Sequence, residues 1–335
     1  MLTNNKDRPV REVDAIQQPQ HLHVVIVTQM RSGSTFVGEL FNKNENFSYF
    51  FEPLYEFRDQ IYGGGSNVKN IVQMAFKHIF QCYFKGMPED WWLRSSRRSI
   101  WNCLHSESLQ NSTLCMFFPK MSKYRPSMEV HDRISVLEAT CKSRKHIAVK
   151  TIRLVDIAHL AELNVNPAYN FKIIHLVRDP RAVYLSRMKV SGSGGNTTYA
   201  CARLQNNLRY WLSDDTSPWL RQRYILLRYE DLAKDPFLIA NQLYTFLGLQ
   251  MPASVEHWLR NNTARDEGGV WSTTRNSRQT ANTWRNELGI HDVISIQEQC
   301  TTPMAYLGYR LVTSQQELQN LNSSLVDLLP RTPFL

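Results

Sequence analysis

The stretch from His23 to Phe41, HVVIVTQMRSGSTFVGELF, constrains this chain more than any other. Val24 to Val27 form a β-branched apolar run that reads as a buried strand. Arg31, Ser32, Gly33, Ser34 and Thr35 follow, small and hydroxylic apart from one arginine. Phe36, Val37, Leu40 and Phe41 then recur at helical spacing, so the segment reads as strand, tight loop and helix N-terminus. That junction is suited to an anion: free backbone N–H groups and the helix dipole converge on the loop, glycine admits a ligand close to the backbone, and hydroxyls and a guanidinium add donors. The ligand expected there carries phosphate or sulfate. The bland alternative is a surface turn with an incidental arginine, and only a second site can decide between them.

A nucleotide triphosphatase is the obvious competitor, but the Walker A pattern needs a glycine ahead of a Gly-Lys-[Ser/Thr] run. Thr28 occupies the position of that first glycine, and Ser34 stands where the lysine belongs. ATP hydrolysis would lack its main electrostatic clamp. The second site appears at Phe171 to Val177, FKIIHLV, a buried strand followed directly by Arg178, Asp179, Pro180, Arg181, Ala182, Val183, Tyr184, Leu185 and Ser186. Asp179 suits a helix N-cap and Pro180 the first helical turn. Arg178 then stands at a strand's carboxyl end and Ser186 about two turns along the helix, a cation and a hydroxyl for a second anionic group.

Between the two loops, Phe47 to Phe51 reads as an aromatic strand stopped by Glu52-Pro53, which places Glu52 at the strand's carboxyl end. Ligands of open α/β sheets bind beyond those ends, so Glu52 is expected on the same edge as the Arg31 loop, with a surface salt bridge as the alternative role. Val68 to Phe80 carries helical periodicity. Ser95 to Lys145 is basic, polar and cysteine-bearing without a strong period, and reads as an insertion in which a bridge such as Cys103 with Cys115 is physically sensible, although connectivity is not deducible. Ile147 to Val149 is a strand ending at Lys150, and Leu154 to Leu163 reads as a helix. Tyr224 to Tyr229 is another buried strand, followed by a helix from Pro236 to Leu247 closed by Gly248. Gly268 to Arg285, with Trp271 and Trp284, reads either as a lid that stacks on a base and holds phosphate or as a solvated loop.

The chain of 335 residues is 42% hydrophobic, ample for a core, and carries a formal charge of +9 that favours an acidic partner: nucleic acid, membrane surface, polyanionic glycan or anionic cofactor. Its six cysteines include no CxxC pair, and no cluster with zinc-ligand spacing is visible, so no metal is expected. Asn46, Asn111, Asn196, Asn261 and Asn322 each begin an N-glycosylation sequon, which with the cysteines leans toward a secretory lumen. Residues 1–21 are polar, as a stem remnant or disordered segment would be, with no apolar run long enough for a signal peptide or anchor. The remainder, 22–335, is expected to form one domain.

Two phosphate-type loops without the Walker lysine suit a donor with two separate anionic groups, such as 3′-phosphoadenosine 5′-phosphosulfate. At this level the sequence resembles the Golgi carbohydrate 6-O-sulfotransferases, which act on galactose, N-acetylgalactosamine or N-acetylglucosamine. The resemblance lies in RSGSTFVGELFN at Arg31 to Asn42, FSYFFEPLY at Phe47 to Tyr55, LVRDPRAVYLSRM at Leu176 to Met188, LLRYEDL at Leu226 to Leu232, STTRNS at Ser272 to Ser277 and Leu307 to Arg310. It implies a P-loop-like α/β sulfotransferase fold, with a mostly parallel central sheet flanked by helices. It also implies that Arg31 to Phe36 hold the 5′-phosphosulfate and Arg178 to Ser186 the 3′-phosphate, with Arg178 and Ser186 in direct contact. Thr35 departs from the family's commoner serine but keeps the hydroxyl. The family's Golgi lumen location is expected through an N-terminal membrane anchor that this chain does not show. The implied partner is a glycan or glycosaminoglycan such as keratan or chondroitin, not nucleic acid. The oligomeric state is not legible.

For chemistry, Glu52 is the candidate base for a sugar hydroxyl, Arg31 the group that stabilises sulfuryl and leaving-phosphate oxygens, and Lys150 a candidate aid to the leaving phosphate, with a plain surface lysine as its alternative. A non-catalytic basic glycan-binding module and a nucleotide kinase remain the competing readings. The first explains charge but not two loops, and the second lacks its lysine.

Overall fold

The computed structural model describes residues 21–85, 87, 105–110, 130–212, 218–263 and 277–329. Five strands form one parallel sheet: β1 (Leu22–Val27), β2 (Phe47–Phe51), β3 (His146–Thr151), β4 (Phe171–Val177) and β5 (Tyr224–Arg228), in the order β2-β3-β1-β4-β5. Both faces are covered, as near-continuous hydrophobic strands require. Along β1, Val25 and Val27 enter the core on one face, and Leu22, Val24 and Ile26 the core on the other.

Chain order places the helices around that sheet. Helix α1 (Ser34–Asn42) follows β1, and α2 (Arg58–Tyr62) and α3 (Val68–Phe80) follow β2. The apolar stripe of α3, from Val68 through Ile71, Val72, Ala75, Phe76 and Ile79 to Phe80, is buried as its period predicts. The Ser95 to Lys145 insertion is more ordered than its composition suggests, because its described parts include α4 (Glu107–Gln110) and α5 (Val130–Lys142). A disulfide from Cys141 in α5 to Cys82 just beyond α3 pins it to the body. Cys103 and Cys115 lie outside the described residues. After β3 the expected Leu154 to Leu163 helix is a 3-10 segment, Ile157–Val165, whose start is set by Asp156 accepting from Ala158 N at 2.8 Å.

Helices α6 (Pro180–Ser191) and α7 (Thr197–Leu212) follow β4; Asp179 caps α6 through Arg181 N at 2.9 Å, with Pro180 in its first turn. Strand β5 ends one residue earlier than expected, since Tyr229 already opens α8 (Tyr229–Lys234). Then come α9 (Pro236–Phe246), α10 (Ala253–Thr263), α11 (Ser277–Asn282), α12 (Trp284–Glu287), α13 (Ile290–Tyr306) and α14 (Gln315–Gln319). A second disulfide, Cys201 to Cys300, ties α7 to α13. Of Gly268 to Arg285, read as a lid or a solvated loop, residues 268–276 lie outside the described residues, and the end is neither: Trp284 and Arg285 are buried, and Arg285 donates to the carbonyls of Leu318, Ser323 and Asn320. Trp271 lies outside the described residues.

Buried histidines set an acid limit. Burial, with His21 nearby, lowers His23 to about 4; burial also lowers His146 to about 4 and His175 to about 3, the last accepting from Tyr224 Oη at 2.7 Å. Each folded-state value lies below the unfolded value of about 6.5, so the unfolded chain binds more protons between those limits and stability falls as pH drops through that window. His23 alone is worth about 3 kcal/mol once fully protonated. Urea midpoints should therefore hold above pH 6.5 and fall steadily toward pH 4, and a flat profile over that range would refute the assignment.

Candidate active site

The sequence places its chemistry at one edge of the sheet. Strand β1 lies between β3 and β4, so the loop after β1 is flanked on one side by the β3 and β2 ends carrying Lys150 and Glu52, and on the other by the β4 end carrying Arg178. The chain leaves β1 toward β2 and leaves β4 toward β5, in opposite directions. This is the switch point where α/β sheets open a crevice.

Two residues give the first loop its shape. Arg31 has φ 72° and Gly33 φ 89°, both left-handed. Gly33 is the N-cap of α1 and provides no side-chain cap, so the amides of the first turn are left without the partner that a serine or aspartate would supply. A Cβ on Gly33 would lie 2.4 Å from Tyr229 Cδ2, because that ring packs directly on the loop backbone.

The second loop meets the first. Arg31 Nε donates to Ser186 Oγ at 2.9 Å, and Arg178 Nη1 donates to the Arg31 carbonyl at 3.1 Å. The Arg178 guanidinium lies 4.5 Å from the Tyr229 ring centroid, and its buried Nε has no hydrogen-bond partner. Asp179 N is held by Glu230 Oε1 at 3.0 Å, and Tyr309 Oη donates to Glu230 Oε2 at 2.8 Å. Burial, then the nearby Asp179, raises the Glu230 carboxyl. Arg181 turns inward instead: it is 0% exposed, forks onto Asp179 at 3.0 and 2.7 Å, donates to Gln297 and the Arg310 carbonyl, and stacks over Trp284. Its guanidinium builds the turn, and Ala182 and Val183 are buried behind it.

Glu52 is 5% exposed, with φ 53°. Its Oε1 accepts from Lys150 Nζ at 2.8 Å and Ile152 N at 3.1 Å, and its Oε2 from Arg153 Nη1. Lys150 is no surface lysine. At 3% exposed, it lies 3.9 Å from the Phe51 ring centroid, and burial lowers its pKa against the pull of Glu52. Non-glycine residues with positive φ at both Arg31 and Glu52 mark local backbone strain at the two ends of one site.

Three participants have no role in the sequence reading. Tyr229 lies within the LLRYEDL motif, but nothing in that motif says that its ring packs on the loop backbone and beside Arg178. His105 stacks 4.2 Å from Phe51 at an interplanar angle of 17°, and burial with Lys150 lowers it to about 4, so it is neutral near pH 7. Arg203 Nη2 donates to Thr28 O, Ile152 O and Leu154 O at 3.3, 2.7 and 3.0 Å, joining the loop after β1 to the Glu52 side. Its spacing in α7 gives no sign of that.

A sulfotransferase domain family matches residues 21–308. Carbohydrate sulfotransferase 1 of Danio rerio is 30% identical over 370 residues, covering 93% of this chain and 84% of the relative. The chain belongs to the carbohydrate sulfotransferases. Human carbohydrate sulfotransferase 3 is likewise 30% identical over 342 residues, covering 91% of this chain and 71% of the relative. The sulfotransferase domain of the Synechococcus PCC 7002 olefin synthase aligns with 91% of this chain and 100% of its own at 16% identity and a TM-score of 0.46. The sulfate donor of this sulfotransferase is 3′-phosphoadenosine 5′-phosphosulfate. The residues present suit such a ligand: an open helix N-terminus, a loop with no room for a Cβ, and a buried, unpartnered Arg178 Nε on a guanidinium held by the same Arg31 that Ser186 meets.

Proposed function

We propose that this carbohydrate sulfotransferase moves the sulfuryl group of 3′-phosphoadenosine 5′-phosphosulfate to the 6-hydroxyl of galactose, N-acetylgalactosamine or N-acetylglucosamine in a glycan or glycosaminoglycan such as keratan or chondroitin. The observation that carries the reading is the juxtaposition of the hydrogen-bonded Arg31 and Ser186 with the buried Glu52–Lys150 pair at neighbouring strand ends. The donor supplies an activated sulfuryl group on a phosphate leaving group. In this reading, Arg31 to Phe36 hold the 5′-phosphosulfate and Arg178 to Ser186 the 3′-phosphate. Transfer of this type passes through a loose state with charge on peripheral oxygens, so the loop amides and Arg31 act mainly by position and charge.

Glu52 accepts the proton of the attacking hydroxyl. Lys150, already hydrogen-bonded to it, balances its charge and lies ready to donate toward the leaving phosphate. Ile152 N and Arg153 hold the carboxylate in one orientation. The Golgi lumen reading is supported by the two disulfides among the described residues and by exposed sequon asparagines at 46, 196, 261 and 322. Among those residues, no helix is long and apolar enough to cross a membrane.

Labelled sulfate transfer to keratan, chondroitin and N-acetylglucosamine-terminated acceptors tests the proposal, with the product position determined. Label at the 6-position of one of them is expected. Metal-independent binding of adenosine 3′,5′-bisphosphate without transfer to any glycan would overturn the acceptor assignment.

A further inference from the structure

Two tyrosines stand half exposed at the catalytic edge. Tyr62 closes α2, the helix that follows Glu52, and is 46% exposed; Tyr199 lies in the first turn of α7 and is 48% exposed. Tyr49, Tyr224, Tyr244 and Tyr309, by contrast, are all core residues. The backbone fixes where Tyr199 stands, because the carbonyl of the next residue, Ala200, accepts Gln29 Nε2 from the donor loop at 2.6 Å. Tyr62 is placed by an arginine. Its side chain hydrogen-bonds that of Arg203. Arg187 donates to the Met30 carbonyl of the donor loop at 3.4 Å, and Arg203 bridges Thr28 of that loop to Ile152 beside Glu52. Through Arg203, Tyr62 is tied to the end of β1 and to Ile152, whose N–H donates to Glu52, and Tyr199 is tied to the same loop through Gln29.

We propose that Tyr62 and Tyr199 form an aromatic subsite that receives a pyranose ring of the acceptor glycan, with the Arg203 guanidinium as its floor. The inference rests on the glycan-acceptor reading above. A pyranose has an apolar C–H face and a rim of hydroxyls. A tyrosine ring matches the first, and its hydroxyl or a neighbouring guanidinium the second, at low conformational cost. With about half of each residue exposed, both rings keep surface on which a sugar can be laid. An incoming hydroxyl held there lies between Glu52 on one side and the donor loop on the other.

The test uses Tyr62→Ala, Tyr199→Ala and the double variant, with Tyr62→Phe and Tyr199→Phe as ring-preserving controls. Each alanine variant should raise the acceptor KM about five- to tenfold, with the loss falling on KM rather than kcat. Calorimetric binding of an acceptor oligosaccharide to protein loaded with adenosine 3′,5′-bisphosphate should weaken in parallel, and the phenylalanine variants should retain most of the affinity. Affinity for adenosine 3′,5′-bisphosphate itself should be unchanged, which also reports an intact donor loop. The subsite is overturned if the wild type transfers sulfate to a glycan while the double alanine variant keeps its acceptor KM, or if alanine weakens the nucleotide instead. If the wild type modifies no glycan at all, the acceptor reading fails and this inference with it.

Discussion

Glu52→Gln lowers the rate of sulfuryl transfer about 10²- to 10⁴-fold and leaves the affinity for adenosine 3′,5′-bisphosphate nearly intact. The amide keeps an oxygen for Lys150 Nζ but cannot take a proton from an attacking hydroxyl. It also removes the one negative charge shared by Lys150 and Arg153, both of which Glu52 pairs in a buried setting. An uncompensated buried cation is costly, so the variant should also melt earlier than wild type. Activity, nucleotide calorimetry and melting, measured on the same preparation, separate lost chemistry from lost folding. Near-normal turnover in Glu52→Gln would remove Glu52 from the mechanism, whatever happens to stability.

The second large effect is on the donor. Gly33→Ala should reduce nucleotide affinity at least tenfold, because an L-residue at φ 89° is strained by about 1–3 kcal/mol and its Cβ would meet Tyr229 Cδ2 at 2.4 Å. Tyr229 cannot retreat without disturbing Arg178, whose guanidinium lies 4.5 Å from the ring centroid. Calorimetry with adenosine 3′,5′-bisphosphate reads the result, and circular dichroism should show the fold retained. Affinity within twofold of wild type would mean that the loop does not need its left-handed glycine.

Much of this was legible from local chemistry. Each strand of the sheet announces itself as a short apolar run, and Asp179-Pro180 fixes the start of α6 because an N-cap and a first-turn proline are local signals. Glu52 is on the expected edge because every strand is parallel, so all carboxyl ends share one side. Residues that act across long sequence separations were not legible. Arg203 looks like any arginine on a helix until α7 is laid over the ends of β1 and β3. Trp284 belongs to a polar stretch by composition, yet Arg181 draws it into the interior. Lys150 is a candidate from its strand end, but its burial against Glu52 shows only when β2 and β3 bring the two together. His105 comes from an insertion with no readable period and is assigned by its stacking on Phe51 alone.

One contact reaches further than its own neighbourhood. The Tyr229 ring packs on the backbone of the Arg31 loop and lies 4.5 Å from the guanidinium of Arg178, which itself donates to the Arg31 carbonyl. A flat, stiff ring cannot lengthen or shorten, so it braces the place where the Arg31 loop meets Arg178. Flexible cations alone would adapt to many spacings. A braced junction instead holds Arg31, Arg178 and Ser186 in one arrangement, so the donors at this edge are set before any ligand arrives.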